Sequence, residues 1–339
     1  MKRVLVARMD SMGDVLVSGP AVRAVAASAE VVLLAGPQGA AAAALLPGVA
    51  EVRVLAAPWI TATDRPVDAD LVAEVARLVA ETGVEAAVVL TSFHQSPLPL
   101  ALLLRLAGVT EIVGASVDAA GGLLDVRLIP GEDFPEDLPE PVRALRIAEA
   151  AGYPLPDGDD GRLAVRLPEE RPAAAGDGAY VVVHPGAAVP ARAYPAERCA
   201  EVVDLLAARG HRVLVTGGPG ERALTAEVAG RAGVDLGGAL GLADLAAVLR
   251  DADAVVVGNT GPAHLAAAAG TAIVSLFAPV VPAARWAPWG VPVELLGDQE
   301  AACRGSRARV CPVEGHPCLA SVEPEAVVAA AERLMGVRA

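Results

Sequence analysis

Short β-branched runs alternate with helix-forming runs along almost the whole chain, and the alternation stops once and then restarts. Such alternation builds a parallel sheet whose strands are joined by crossover helices. In the first half the pattern predicts strands at Arg3–Ala7, Glu30–Ala35, Val52–Leu55, Ala86–Thr91, Glu111–Gly114 and Leu123–Ile129. Helices are expected between them, at Val15–Ser28, Ala69–Thr82, Leu98–Ala107 and Pro141–Ala151. Residues 152–178 are rich in Pro, Gly, Asp and Glu, with one strand-like piece at Leu163–Leu167, and read as an interdomain linker. The alternation resumes with strands at Tyr180–His184, Arg212–Thr216, Ala254–Gly258 and Ile273–Phe277. Helices are expected at Ala196–Arg209, Arg222–Ala232, Leu242–Arg250, Ala263–Ala269 and Pro324–Leu334. The expectation is an α/β protein of two Rossmann-like domains, 1–151 and 179–339, with the last helix free to fold back over the first domain. A chain of 339 residues supplies enough material for two cores.

Composition removes several classes. Charged residues make up 20% and apolar ones 54%, so the chain is not disordered. A net charge of −14 opposes non-specific nucleic-acid binding and a broadly basic membrane face. An anionic ligand must therefore be held by local donors. Aromatic residues are 3%, too few for an extended stacking platform. Lys2 is the one lysine among 27 basic residues, a skew given no mechanistic weight. Val4–Ala7 is too short for a secretory signal core, and no run of about 18 apolar residues reads as a transmembrane segment. The expected location is the cytoplasm, at most peripheral at the inner face of the membrane, and a monomer suffices.

The turn with the clearest chemistry is Gly258-Asn259-Thr260-Gly261-Pro262-Ala263-His264-Leu265, directly after Ala254–Val257. Glycines, a capping residue and then proline read as strand, tight turn and helix. The unpaired N–H groups of such a helix start, together with its dipole, suit a phosphate. His264 adds a donor in the first turn. The same features serve any βα connection, and a buried, satisfied histidine is equally ordinary. A second glycine-rich turn, Thr216–Glu221, and a third strand end, Val183-His184-Pro185-Gly186, favour the ligand-binding reading. Open α/β sheets build their clefts from converging strand ends of this kind.

The first strand leads into Arg8-Met9-Asp10-Ser11-Met12-Gly13-Asp14. Asp14 fits an N-cap and Asp10 fits an Asx turn. Asp14 also fits a general base that takes a proton from a hydroxyl. Cys199 sits in a helical pattern and reads as core. Cys303, Cys311 and Cys318 cluster with His316 in an irregular loop without CxxC spacing, which favours reduced thiols over a zinc or iron site.

Ser11-Met12-Gly13-Asp14-Val15-Leu16, with Pro20-Ala21 and Arg23-Ala24, resembles the opening of glycosyltransferase family 9, the ADP-heptose heptosyltransferases. The resemblance continues through His184-Pro185-Gly186, Arg192-Ala193-Tyr194-Pro195, Gly217–Arg222, Leu240-Gly241 with Leu245, Asn259–His264 and Ser275-Leu276-Phe277, and it reaches Cys311-Pro312 and His316-Pro317-Cys318. It implies the GT-B architecture, two Rossmann-like domains facing a central cleft. It implies Asp14 as catalytic base, with Arg192 assisting the leaving diphosphate. His184, Gly186, Gly218, Glu221, Asn259, Thr260, Gly261 and His264 would hold the donor, Glu221 near the ribose hydroxyls. Asp10, Ser11 and Gly13 would lie on the acceptor side. Three positions depart from the family pattern: Arg192 stands where relatives usually carry Lys, Ala187 and Ala188 replace hydroxyl residues, and Asn259 replaces an Asp.

The implied reaction is an inverting single displacement from a nucleotide-activated heptose, with ADP leaving. No cofactor and no metal are expected, since Asp251 and Asp253 have metal-binding spacing but precede their strand. The acceptor is a glycan, a lipid-linked sugar or a small molecule. Arg53, Arg65 and Arg105 form no basic cluster for a strongly anionic one such as a lipopolysaccharide core. Two other classes compete. A dehydrogenase would need a GxGxxG after the first strand, where only Gly13 is found. A non-catalytic two-lobed receptor would be expected to carry a signal peptide.

Overall fold

The computed structural model describes residues 1–60 and 65–335. The chain divides into two compact units, Met1–Arg166 and Leu167 onward.

The first unit is built on β1 (Arg3–Arg8), β2 (Glu30–Ala35), β3 (Val49–Val54), β4 (Ala86–Val89), β5 (Glu111–Ala115) and β6 (Val126–Leu128). They form one sheet in the order β3-β2-β1-β4-β5-β6, and every pairing is parallel. The central strands are apolar on both faces because helices cover both: Val4 to Ala7 are at most 1% exposed. Helix Ala69–Thr82 matches its expectation at both ends. Asp68 caps it by accepting from Leu71 N, and Gly83 ends it at φ +62°. The helix expected at Val15–Ser28 is instead two, Met12–Val17 and Gly19–Ala26. Pro20 explains the break, because its ring would clash with the carbonyl of Leu16 in a continuous helix.

Residues 152–166 belong to the first unit. Arg23 grips Asp159 through two hydrogen bonds of 2.6 and 2.8 Å, and Arg166 N donates to Leu45 O. Leu163 and Val165 are buried there without forming the strand expected at Leu163–Leu167. A Pro/Gly/Asp-rich composition thus marks a clamped surface loop as well as a junction.

The second unit repeats the plan with β7 (Val181–His184), β8 (Val213–Gly217), β9 (Val234–Gly237), β10 (Ala254–Gly258), β11 (Ile273–Leu276) and β12 (Val293–Leu296). Their order is β12-β11-β10-β7-β8-β9, again parallel throughout. β9 and β12 are edge strands that periodicity did not reveal, being short and only partly buried. Helix Pro324–Met335 buries Val327, Val328, Ala330, Ala331 and Leu334 in the core of this same unit. Among the described residues no helix is long and apolar enough to cross a membrane.

Both sheets reverse direction beside their first strand, between β1 and β4 and between β7 and β10. In sheets of this kind the loops leaving the carboxyl ends of the strands diverge at that point and form the ligand crevice.

Candidate functional site

In the second unit the crevice is lined by the loops after β7, β8 and β10. β10 ends at Gly258, and helix Gly261–Ala268 follows with Thr260 at its cap position and Pro262 as second residue. The Thr260 hydroxyl makes no cap bond, the Thr260 carbonyl accepts from Ala263 N at 3.0 Å and Pro262 has no N–H, so Gly261 N is the backbone donor this helix start can offer a ligand. Asn259 is 5% exposed, and neither its amide nitrogen nor its amide oxygen has a hydrogen-bond partner. Leaving such a group unpaired costs about 1–3 kcal/mol, which a polar ligand would recover. His264 lies buried in the first turn of the same helix.

His184 closes β7, its Nδ1 3.0 Å from the Thr216 hydroxyl. Burial pushes its pKa down to about 4 against the opposing charge of Glu221, so the ring is neutral at physiological pH. The Glu221 carboxylate accepts from Gly218 N at 2.7 Å and fills the space where a side chain at Gly186 would go. A side chain at Gly186 would displace the Glu221 carboxylate from this position. Arg192 ends a short turn, Pro190–Arg192, whose carbonyl would stand 3.0 Å from a Cβ at Gly258. The structure thus brings together every donor-side residue singled out from sequence, around three adjacent strand ends.

In the first unit the crevice holds a buried charge cluster. Ser11 is the N-cap of helix Met12–Val17, and Asp14 is its third residue rather than the cap. Asp14 Oδ2 accepts from Ser11 N at 3.1 Å and from Ser11 Oγ at 2.6 Å, closing a capping box. Its Oδ1 accepts from Arg8 Nη2 at 2.9 Å. Gly13 is buried between them as the second residue of the helix. Asp10 makes no Asx bond among those resolved; its Oδ2 accepts from Ser92 Oγ at 2.6 Å and lies 3.5 Å from Arg8.

Arg8 was not legible as a site residue, although a charge ending the apolar run Val4–Ala7 is the signal. It is 1% exposed and faces Asp10, Asp14 and Glu140. Ser92, on the loop after β4, accepts from Arg8 Nη2 at 2.8 Å. Burial pushes the Asp14 carboxyl up, but Arg8 and Ser11 outweigh it and hold it below the usual carboxylate range. For Asp10 and Glu140 burial wins, and both stay above that range.

The remaining candidates are structural. Cys303 and Cys318 are buried, and burial beside Cys303 pushes the Cys318 thiol up to about 12. The His316 ring points its Nε2 at Ala191 O, 3.2 Å away. Among the described residues no group of His, Cys, Asp and Glu has the arrangement to hold a metal ion. Cys199 is core, as expected. Arg53 pairs with Glu51 and Glu81, Arg65 with Glu74, and Arg105 with Asp125. Asp251 pairs with Arg250 at the amino end of β10, away from the donor-side turn.

Two doubly wound units in series form an α/β fold of the GT-B kind, and solved structures agree. Over the whole chain the structure matches ADP-heptose LPS heptosyltransferase II from E. coli with a TM-score of 0.74 at 20% identity, covering 100% of this chain and 99% of that one. It matches a glycosyltransferase family 9 protein from Veillonella parvula with a TM-score of 0.78 at 18% identity, covering 99% and 98%. It matches E. coli heptosyltransferase WaaC, solved with ADP, with a TM-score of 0.73 at 21% identity, covering 98% and 99%. No curated protein sequence matches the chain. Residues 95–316 match the family described as glycosyltransferase family 9 (heptosyltransferase), and the chain belongs to that family. It is a glycosyltransferase.

Proposed function

We propose that the protein moves a heptose from an ADP-activated donor to an acceptor hydroxyl by a single inverting displacement. The observation that carries the donor side is the turn Gly258–His264. The Gly261 N–H, a buried amide with no internal partner and a histidine in the first turn are donors that a diphosphate can use. The heptosyltransferase WaaC is described with ADP and with ADP-2-deoxy-2-fluoro heptose, which supports that donor. Asp14 acts as base: held ionised by Arg8 and Ser11, it can take the acceptor's proton as the oxygen attacks the anomeric carbon. Arg192 and the helix start neutralise the departing diphosphate, so the reaction runs without a divalent ion. The arginines named from sequence for the acceptor side are already paired with carboxylates, which favours an acceptor of low charge, a cell-surface glycan or small molecule, over a phosphorylated one.

Calorimetry with ADP in EDTA tests the donor side. Binding should persist, and His264→Ala should weaken it by about 1–3 kcal/mol through loss of a charge-assisted hydrogen bond. Loss of ADP binding on chelation would sink the metal-free reading.

A further inference from the structure

The first unit buries more acid than one base requires. Arg8 lies within 3.5 Å of three carboxylates, Asp10, Asp14 and Glu140, and all four groups are largely withdrawn from water. Ser92 Oγ stands between two of them, donating to Asp10 Oδ2 at 2.6 Å and lying 3.3 Å from Asp14 Oδ1. It also accepts from Arg8 Nη2 at 2.8 Å. The loop after β4 adds Gln95, whose Oε1 accepts from Ser92 N at 3.2 Å. These contacts fix Asp10 beside Asp14 as firmly as the capping box fixes Asp14 itself.

Resting on the assignment of Asp14 as base, we infer that Asp10 is a positioning residue which, through Ser92, makes the two carboxylates a single proton-accepting pair. In the transfer step the acceptor's O–H bond breaks as its oxygen bonds the anomeric carbon. The carbon–oxygen bond to the diphosphate breaks and takes its electron pair with the leaving ADP. The proton goes onto Asp14, and the pair passes from two negative charges to one. Neutralising one of two adjacent carboxylates relieves their repulsion, so Asp10 adds driving force that Arg8 alone would remove. The groups facing the pair are Arg8 from β1, Ser11 from the cap of helix Met12–Val17, Ser92 and Gln95 from the β4 loop, and Glu140 with Arg143 behind it from helix Glu140–Ala150. A pair coupled this closely titrates in two steps that belong to both residues.

The test is a pH titration of the intact protein carrying 13C at the aspartate carboxyl carbons, with Asp10 and Asp14 assigned by substitution. In the wild type the Asp14 carbon should move in two steps. In Asp10→Asn the upper step should vanish from Asp14. In Ser92→Ala, which removes a donor to Asp10 and leaves both carboxylates, the upper step should move to higher pH, and Ser92→Thr should restore it. The acid limb of transfer from ADP-heptose should follow the upper step, and Asp10→Asn should lower kcat about tenfold with KM unchanged. An Asp14 carbon that moves in one step in the wild type, unaltered by Asp10→Asn or Ser92→Ala, overturns the pair while leaving Asp14 as base untouched. Normal transfer by Asp14→Asn overturns the base assignment and the pair with it.

Discussion

Replacing Asp14 by Asn separates its two duties. Asn can still accept from Ser11 N, so the capping box is largely kept. Arg8 loses one carboxylate but keeps Asp10 and Glu140, so no buried charge is stranded. The cost in stability should be about 1 kcal/mol, a shift of only a few degrees in Tm. Turnover should fall by about 10²–10⁴-fold, because an amide cannot take the proton. A large drop in Tm beside near-normal turnover would make Asp14 purely structural. His184 gives a second prediction at this scale. Its folded pKa of about 4 lies below the ordinary imidazole value, so between those values the unfolded chain binds a proton that the folded chain refuses. Stability should therefore fall as pH drops from about 6.5 to about 4 and change no further through this group below that, by about 3 kcal/mol in all. His184→Gln should flatten that loss in denaturation measured at pH 7 and pH 4.5; an equal loss in wild type and variant would contradict it. Asp14, Asp10 and the proposed donor-side residues stand out in the sequence because turn chemistry and family resemblance both mark them. Arg8, Ser92 and Glu140 were not, since each comes from a different element and only folding brings them together.

At the scale of elements, helix Gly261–Ala268 is buried on nearly every side and yet begins at an unsatisfied amide, Asn259. Packing explains the helix body, and the unpaired Asn259 amide is what the proposed donor site rests on. Helix Ala69–Thr82 could be read to the residue because Asp68 and Gly83 are explicit stop signals. The pair Met12–Val17 and Gly19–Ala26 was read as one helix because its apolar periodicity runs through Pro20, where backbone sterics decide otherwise. β9 and β12 escaped because edge strands need bury only part of their side chains, which erases the pattern a central strand shows. The loop carrying Cys303, Cys311, His316 and Cys318 is explained by packing: its thiols face the core of the second unit and its histidine meets a backbone carbonyl. Elemental analysis of protein purified without an affinity tag should find no stoichiometric zinc or iron. Near-equimolar metal would reverse that reading.

For the molecule as a whole, the two-unit α/β organisation was legible from alternation alone. The junction was not, because residues 152–166 carry a linker's composition and are nonetheless clamped to the first unit. Nucleotide choice belongs to this scale, since a ligand that binds only the folded protein raises its stability by mass action. At 100 times its dissociation constant ADP should add about 2.7 kcal/mol to unfolding, while UDP, NAD and free sugars at equal concentration add far less. A rise with NAD but not ADP would favour a dehydrogenase, and a rise with a free sugar alone a receptor. The most direct measurement follows ADP release and labelled-sugar incorporation when ADP-heptose, with label in the sugar, is given to the protein with an envelope glycan extract of the source cells in EDTA. Wild type should release ADP and incorporate label in equal amounts, and Asp14→Asn should do neither while still binding ADP. Transfer from a UDP-sugar in preference to ADP-heptose, or undiminished transfer by Asp14→Asn, would contradict the proposed chemistry.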